Sequence, residues 1–289
     1  MKRVSDRNGD AVMVTTVLML SIILSVGGKL VLDYGEIVGK EQDMLHASDV
    51  SDSMLSMRAS MSTLLEAGDT DTSILNRITL GTYGNPYLGV ARSSGRLVYS
   101  PAPEDFQLSV FLEEGGSETL LNSVSGSLVF ESNNFYYIDQ VITFQSGGLV
   151  LDEYGRCVMS EPALFEVVRT SSGWGVDLEL FTLTGEHWST SGIDSTPLTI
   201  GLDGYSEISR DLSAGQVVSM RFNGPGEKAW EYGIRSLLTG NGLIENVDFS
   251  VTRPSDWSSS SEYLEIDLTG METVHLLTGE MEVRICSTC

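Results

Sequence analysis

Ala11 to Gly28 reads AVMVTTVLMLSIILSVGG, an uncharged and largely apolar run, and no proline follows until Pro86. Helix over those 18 residues rises about 27 Å, close to the hydrocarbon thickness of a bilayer. From Leu30 the apolar positions thin into a stripe. Val50, Met54, Met57, Met61 and Leu64 recur at the spacing of one helix face. Asp43, Ser48, Asp49, Ser51, Asp52, Ser53 and Ser56 occupy the other faces. Gly68, then Asp69-Thr70-Asp71-Thr72, reads as the stop. The expectation is one helix on the order of 85 Å long, with residues 11–32 spanning a membrane and residues 33–67 forming an amphipathic stalk. Packing against the chain's own β region and packing against neighbouring subunits both remain open for the methionine stripe.

The ends of the apolar run set its orientation. Residues 1–10 form a basic leader with Lys2, Arg3 and Arg7 against Asp6 and Asp10, which keeps that tip cytoplasmic and places the rest outside. Three readings compete. A secretory signal peptide would be cut near Ser25-Val26-Gly27, although the helical pattern continues through that point. A signal anchor would stay whole. A short leader cut before the apolar segment would leave the helix as an assembly element.

After Thr79 the pattern changes to short strands between turns. Strands are expected at 77–82, 87–92, 96–99, 106–112, 127–131, 135–144, 148–152, 174–183, 195–201, 215–222, 247–252, 263–269 and 280–286. Asn133-Asn134 and Ser146-Gly147-Gly148 supply turns for a meander. One helix interrupts at 225–238, with Pro225 in its first turn, Ala229, Trp230, Ile234, Leu237 and Leu238 on its apolar face, and Gly240 as its stop. Pro101-Ala102-Pro103 and 255–261, including Trp257, read as exposed loops. The fold class is therefore α+β: a long N-terminal membrane-spanning helix continuing as a stalk, then a mainly antiparallel, sandwich-like β domain over 79–289 with one late helix.

The leader Lys2-Arg3-Val4-Ser5-Asp6-Arg7-Asn8-Gly9, followed by Asp10 and the apolar run, resembles the start of archaeal type IV pilin-like proteins, whose leader is of class III signal-peptide kind. That resemblance implies processing after Gly9, with Asp10 opening the mature chain. Asn8 stands where the family usually has a basic residue, and Val14 where many pilins have glutamate. Asn133 to Leu151, with Asp139-Gln140 and Gly147-Gly148 and then Pro162, is similar to a meander in archaeal secreted pilin-like proteins. The helix around Trp230 with its following hairpin strands resembles their C-terminal half. Location and architecture follow from the resemblance, and no chemistry does.

Charge and missing motifs bound the function. Seventeen basic against 40 acidic residues give a net charge of −23, which argues against nucleic acid and against anionic lipid as a peripheral partner. Phosphate-loop, zincin and nucleophile-elbow motifs do not occur. His46, His187 and His275 are far apart in sequence, and His275 alternates with Val274 and Leu276 as a half-buried strand residue would. Asp69 and Asp71 have two spacings of a calcium loop without its glycine or closing glutamate, so at most weak calcium binding is expected. Cys157, Cys286 and Cys289 are an odd number; a disulfide among them, an intermolecular one or free thiols are all open.

These readings lead to a non-enzymatic cell-surface protein without cofactor or resident metal. Its partners are membrane lipid through residues 11–32 and, in a filament, further pilin-like subunits. Val14, Val17, Leu18, Ser21, Ile22, Ser25 and Gly28 are the candidate membrane and assembly positions, since small residues let helices approach closely. The outer domain would serve adhesion or surface contacts. A monomeric signal-anchored binding domain is the alternative.

Overall fold

The computed structural model describes residues 7–170, 173–255 and 263–286, with residues 7–11 described by backbone alone. Helix α1 runs unbroken from Arg7 to Ala67, about 92 Å at 1.5 Å per residue. No proline interrupts its hydrogen-bond ladder. It ends where Gly68 turns left-handed at φ 61° and donates its N–H to the Leu65 carbonyl at 3.1 Å. Helical backbone already holds at Gly9 and Asp10, so nothing in the backbone marks a boundary between leader and span.

Among the described residues, sixteen strands and one further α-helix follow: β1 (Ser73–Thr79), β2 (Ser94–Ser100), β3 (Gln107–Glu114), β4 (Ser117–Ser125), β5 (Ser127–Asn133), β6 (Gln140–Gln145), β7 (Gly148–Glu153), β8 (Arg156–Glu161), β9 (Leu164–Arg169), β10 (Trp174–Thr184), β11 (Trp188–Gly192), β12 (Ser195–Asp211), β13 (Val217–Asn223), α2 (Glu227–Gly240), β14 (Phe249–Thr252), β15 (Leu264–Thr269) and β16 (Met271–Ile285). They form three sheets, ordered β1-β12-β16-β10-β9, β11-β2-β5-β6-β7-β8 and β14-β15-β13-β3-β4. Every neighbouring pair is antiparallel except β10 with β16, which run parallel at the centre of the first sheet.

The first sheet is the shared wall of two cores. On β10, Val176, Leu178 and Leu180 enter one core while Phe181 and Leu183 enter the other. Alternate residues of a strand point to opposite faces, so the two cores lie on opposite faces of that sheet. The bulge between Leu202 and Gly204 on β12 shifts its alternation accordingly: Leu198, Ile200 and Leu202 face one core, Ile208 the other. One core packs the third sheet and α2 against the wall, around Trp230, whose ring lies 5.5 Å from Phe106 and 5.0 Å from Phe222. Its indole N–H donates to Gln145 Oε1 at 2.8 Å. The other core packs the second sheet and the stalk of α1 against the opposite face.

Several strand expectations change. Residues 87–92 are not a strand: Pro86–Leu88 forms a 3-10 turn with Pro86 at its start, closed by Gly89 at φ 69°. Asn134 to Asp139 is a loop, where the Asn134 N–H donates to Asp139 Oδ1 at 2.8 Å, so β6 begins only at Gln140. Strand β1 begins at Ser73 rather than Arg77. Strands β4, β8, β9 and β11 were not expected. Helix α2 starts at Glu227, after Pro225, and Gly242 at φ 92° rather than Gly240 supplies the left-handed residue behind it. Loop residues 256–261, with Trp257, lie outside the described residues.

Candidate membrane and assembly helix

The candidate site is the N-terminal half of α1. Among its large apolar side chains from Val12 to Leu32, exposure runs from 43% to 69%. No part of its most apolar stretch is buried against the rest of the chain. Val14, Val17, Leu18, Ser21, Ile22, Ser25 and Gly28 share one face, at i, i+3, i+4, i+7, i+8, i+11 and i+14. Polar side chains inside this stretch are satisfied within the helix. Thr16 Oγ1 donates to the Val12 carbonyl at 2.8 Å, Ser21 Oγ to Val17 at 2.8 Å and Ser25 Oγ to Ser21 at 2.7 Å. A helix whose hydroxyls bond its own backbone can enter hydrocarbon without stranding a donor. Gly27 and Gly28 have nothing within 4 Å of where a Cβ would sit, so no contact within the chain requires them.

From Gly35 onward the same helix is seated. A Cβ on Gly35 would meet the Leu88 carbonyl oxygen at 2.3 Å, and one on Gly39 would meet the Tyr136 ring at 2.3 Å. Buried Asp43 accepts the Tyr136 and Tyr137 N–H groups at 2.9 and 3.2 Å, and the Ser93 hydroxyl also donates to it. His46 Nε2 lies 2.9 Å from the Thr79 carbonyl oxygen, and its ring meets Phe130 edge-on. Val50, Met54, Met57 and Met61 follow, each at most 1% exposed. Positions 35, 39, 43, 46, 50, 54, 57, 61 and 64 form one continuous stripe. Sequence reasoning found only its apolar part. It missed Gly35, Gly39 and His46, which carry no apolar signal, and it placed Asp43 on the outward faces, whereas Asp43 is buried in the stripe because its carboxylate accepts from the body.

The helix can therefore be divided at Gly35. Residues 12–34 rise about 34 Å, enough to cross a bilayer's hydrocarbon. An N-terminal apolar helix followed by a β body fits a membrane-anchored domain with one span.

The other candidates are dispersed. Gly9 and Asp10 lie in the first turns of α1, and their side chains are outside the described residues. Cys157 is free; burial, then the neighbouring Asp152 carboxylate, pushes its thiol up to about 11, so it is un-ionised and a weak nucleophile near neutral pH. Cys286 is disulfide-bonded, and Cys289 lies outside the described residues. Asp69 caps its own turn, accepting the Asp71 N–H at 3.0 Å and the Thr72 hydroxyl. The Thr72 bond, then the backbone bond, holds its carboxyl below the usual value. His275 stands between Glu207, 3.1 Å away, and Asp177, 4.0 Å away. Among the described residues, no group of three or more His, Cys, Asp and Glu side chains is arranged to hold a metal ion.

No family model, no curated protein and no solved structure matches this chain.

Proposed function

We propose that this chain is a cell-surface, pilin-like subunit of archaeal type. Residues 11–32 cross the membrane with the N-terminus cytoplasmic, and the β body stands outside for adhesion or surface contacts. Release after Gly9 would let the free half of α1 leave the bilayer and pack with its equivalents in a filament core. The observation that carries this reading is the division of α1. Its apolar half is not buried against the described residues of the body, yet it presents the small residues Ser21 and Ser25, bonded to their own helix, and Gly27 and Gly28, with open space where a Cβ would sit. Small residues at such spacing let helix backbones approach closely where no hydrophobic drive separates lipid from protein.

The role is contact rather than catalysis. His46 and His275 have structural partners, and the charge of −23 disfavours nucleic acid. Lipid through the span and further subunits are the partners, with weak calcium binding at the acidic surface. The test is to determine the mature N-terminus and to ask whether the protein appears in filaments sheared from cells. A start at Asp10 with recovery in filaments is expected. An intact Met1 with all protein in the membrane fraction would identify a monomeric anchored domain instead.

A further inference from the structure

The end of the β body that surrounds α1 where the helix leaves it is rich in exposed aromatic side chains. Five of the eight exposed Tyr and Phe residues among the described residues are Tyr34, Tyr83, Tyr87, Phe135 and Tyr154. Tyr34 is on the helix, one residue before the Gly35 contact. Tyr87, 92% exposed, sits in the 3-10 turn whose Leu88 carbonyl abuts Gly35. Phe135, 68% exposed, adjoins Tyr136, which locks both loops against the helix. The Tyr136 ring covers Gly39, its hydroxyl donates to the Gly89 carbonyl at 3.1 Å, and it accepts the Ala91 N–H at 2.9 Å.

Tyr154 lies at the outer margin of the same end, because the β7–β8 turn shares it with the β5–β6 loop through the pairing of Gln140 with Glu153. It is held at φ 54°, a conformation that disfavours a bulky aromatic residue. Burial accounts for an aromatic side chain at none of Tyr87, Phe135 and Tyr154; Phe135 meets the Tyr136 ring edge-on, with centroids 4.9 Å apart, and is still mostly exposed.

We infer that this rim rests on the outer surface of the bilayer, with Tyr87 and Phe135 seated among the lipid headgroups around the emerging span. The inference rests on the membrane-anchored reading of α1. Its ground is position and chemistry together. Gly35 is three residues past Leu32, where the span ends, about 5 Å along the axis, and the headgroup layer beyond the hydrocarbon is about 5–8 Å thick. The rim therefore meets that layer within side-chain reach. Tyrosine rings, apolar with one polar edge, favour this depth, and the wholly apolar Phe135 ring would sit toward its hydrocarbon side.

The charge is also suitable. Lys29 and Lys40, two of only four lysines in the chain, bracket Asp33 and Glu36, and Lys40 Nζ lies 6.0 Å from the Tyr137 ring centroid. Residues 29–40 of α1, where the helix enters the body, are thus balanced in charge on a strongly acidic protein, which suits zwitterionic headgroups. Two contacts, the span and the rim, would fix the tilt of the body and not only its attachment.

The test uses the full chain in phosphatidylcholine vesicles whose acyl chains are brominated close to the headgroup. Tyr87→Trp and Phe135→Trp are compared separately with the unsubstituted protein, whose own tryptophan emission is subtracted. Both variants should float with vesicles, and the added indole should lose roughly half its emission to bromine and shift to the blue. Flotation without quenching would overturn the rim contact while leaving the span intact. A blue shift without bromine quenching would overturn it in favour of a second copy of the chain covering this end. Failure to float would remove the anchoring reading and the rim contact together.

Discussion

The two halves of α1 have one backbone and opposite surroundings. Residues 12–34 keep their apolar side chains outward and satisfy their hydroxyls along the helix itself. Residues 35–64 bury a single stripe that begins with two glycines, passes through Asp43 and His46, and ends in methionines. A helix that is apolar all round needs an apolar medium, whereas one with a single buried stripe needs one wall. The helix changes from one regime to the other at Gly35, within a turn of where Leu88 touches it. That abrupt change is the physical basis for assigning the first half to the membrane and the second to the body.

Substitutions in each half should separate these roles. The largest effect is expected from Val17→Arg, which places a charge in the middle of the span. Membrane retention should be lost in fractionation while the unfolding midpoint of the body stays where it was; unchanged retention would contradict a span. In the seated half, Met57→Ala removes a fully buried side chain and should lower stability by about 2–5 kcal/mol. Denaturant unfolding would read the loss, with retention unaffected. The glycines give a finer comparison. Gly39→Ala drives a methyl group into the Tyr136 ring and should destabilise by about 1–3 kcal/mol. Gly28→Ala meets open space and should leave body stability unchanged.

What the sequence revealed follows the same division. The span was legible because a long uncharged run has few structural readings, and the methionine stripe because one residue type repeats at helical spacing. Gly35 and Gly39 act by lacking a side chain, and Asp43 by accepting backbone N–H groups from residues about 90 positions away, so periodicity could not expose them. In the β region, the meander β5–β6–β7 was legible because its pairings are local. The parallel pair of β10 with β16 joins Val176 to Val274, and no short-range turn signal encodes such a pairing. Edge strands β4 and β8 have mostly exposed or half-exposed side chains, which weakens their apolar alternation. The aromatic rim was missed because its residues are scattered over four segments.

The smallest effect concerns where the stalk meets the wall. Glu179 accepts the Ser62 hydroxyl. Burial, aided by the Glu66 charge and opposed by the Ser62 bond, raises its carboxyl above the ordinary value of 4.5. The folded protein therefore keeps this proton to higher pH than the unfolded chain does. Between the ordinary and raised values folding takes up a proton, so stability falls as pH rises through that window. Glu179→Gln should remove this group's share of the slope, leaving the share of Glu227, which burial raises in the same direction. Unfolding curves collected just above pH 4.5 would show the change.

The division of α1 is tested most directly by removing residues 1–34 and measuring the thermal unfolding midpoint of what remains beside that of the full chain. An unchanged midpoint, together with loss of stable membrane attachment, is the predicted result. A midpoint lower by more than about 4 °C, equivalent to at least ~1 kcal/mol for a body of this size, would show that the apolar half supports the fold, contradicting the account.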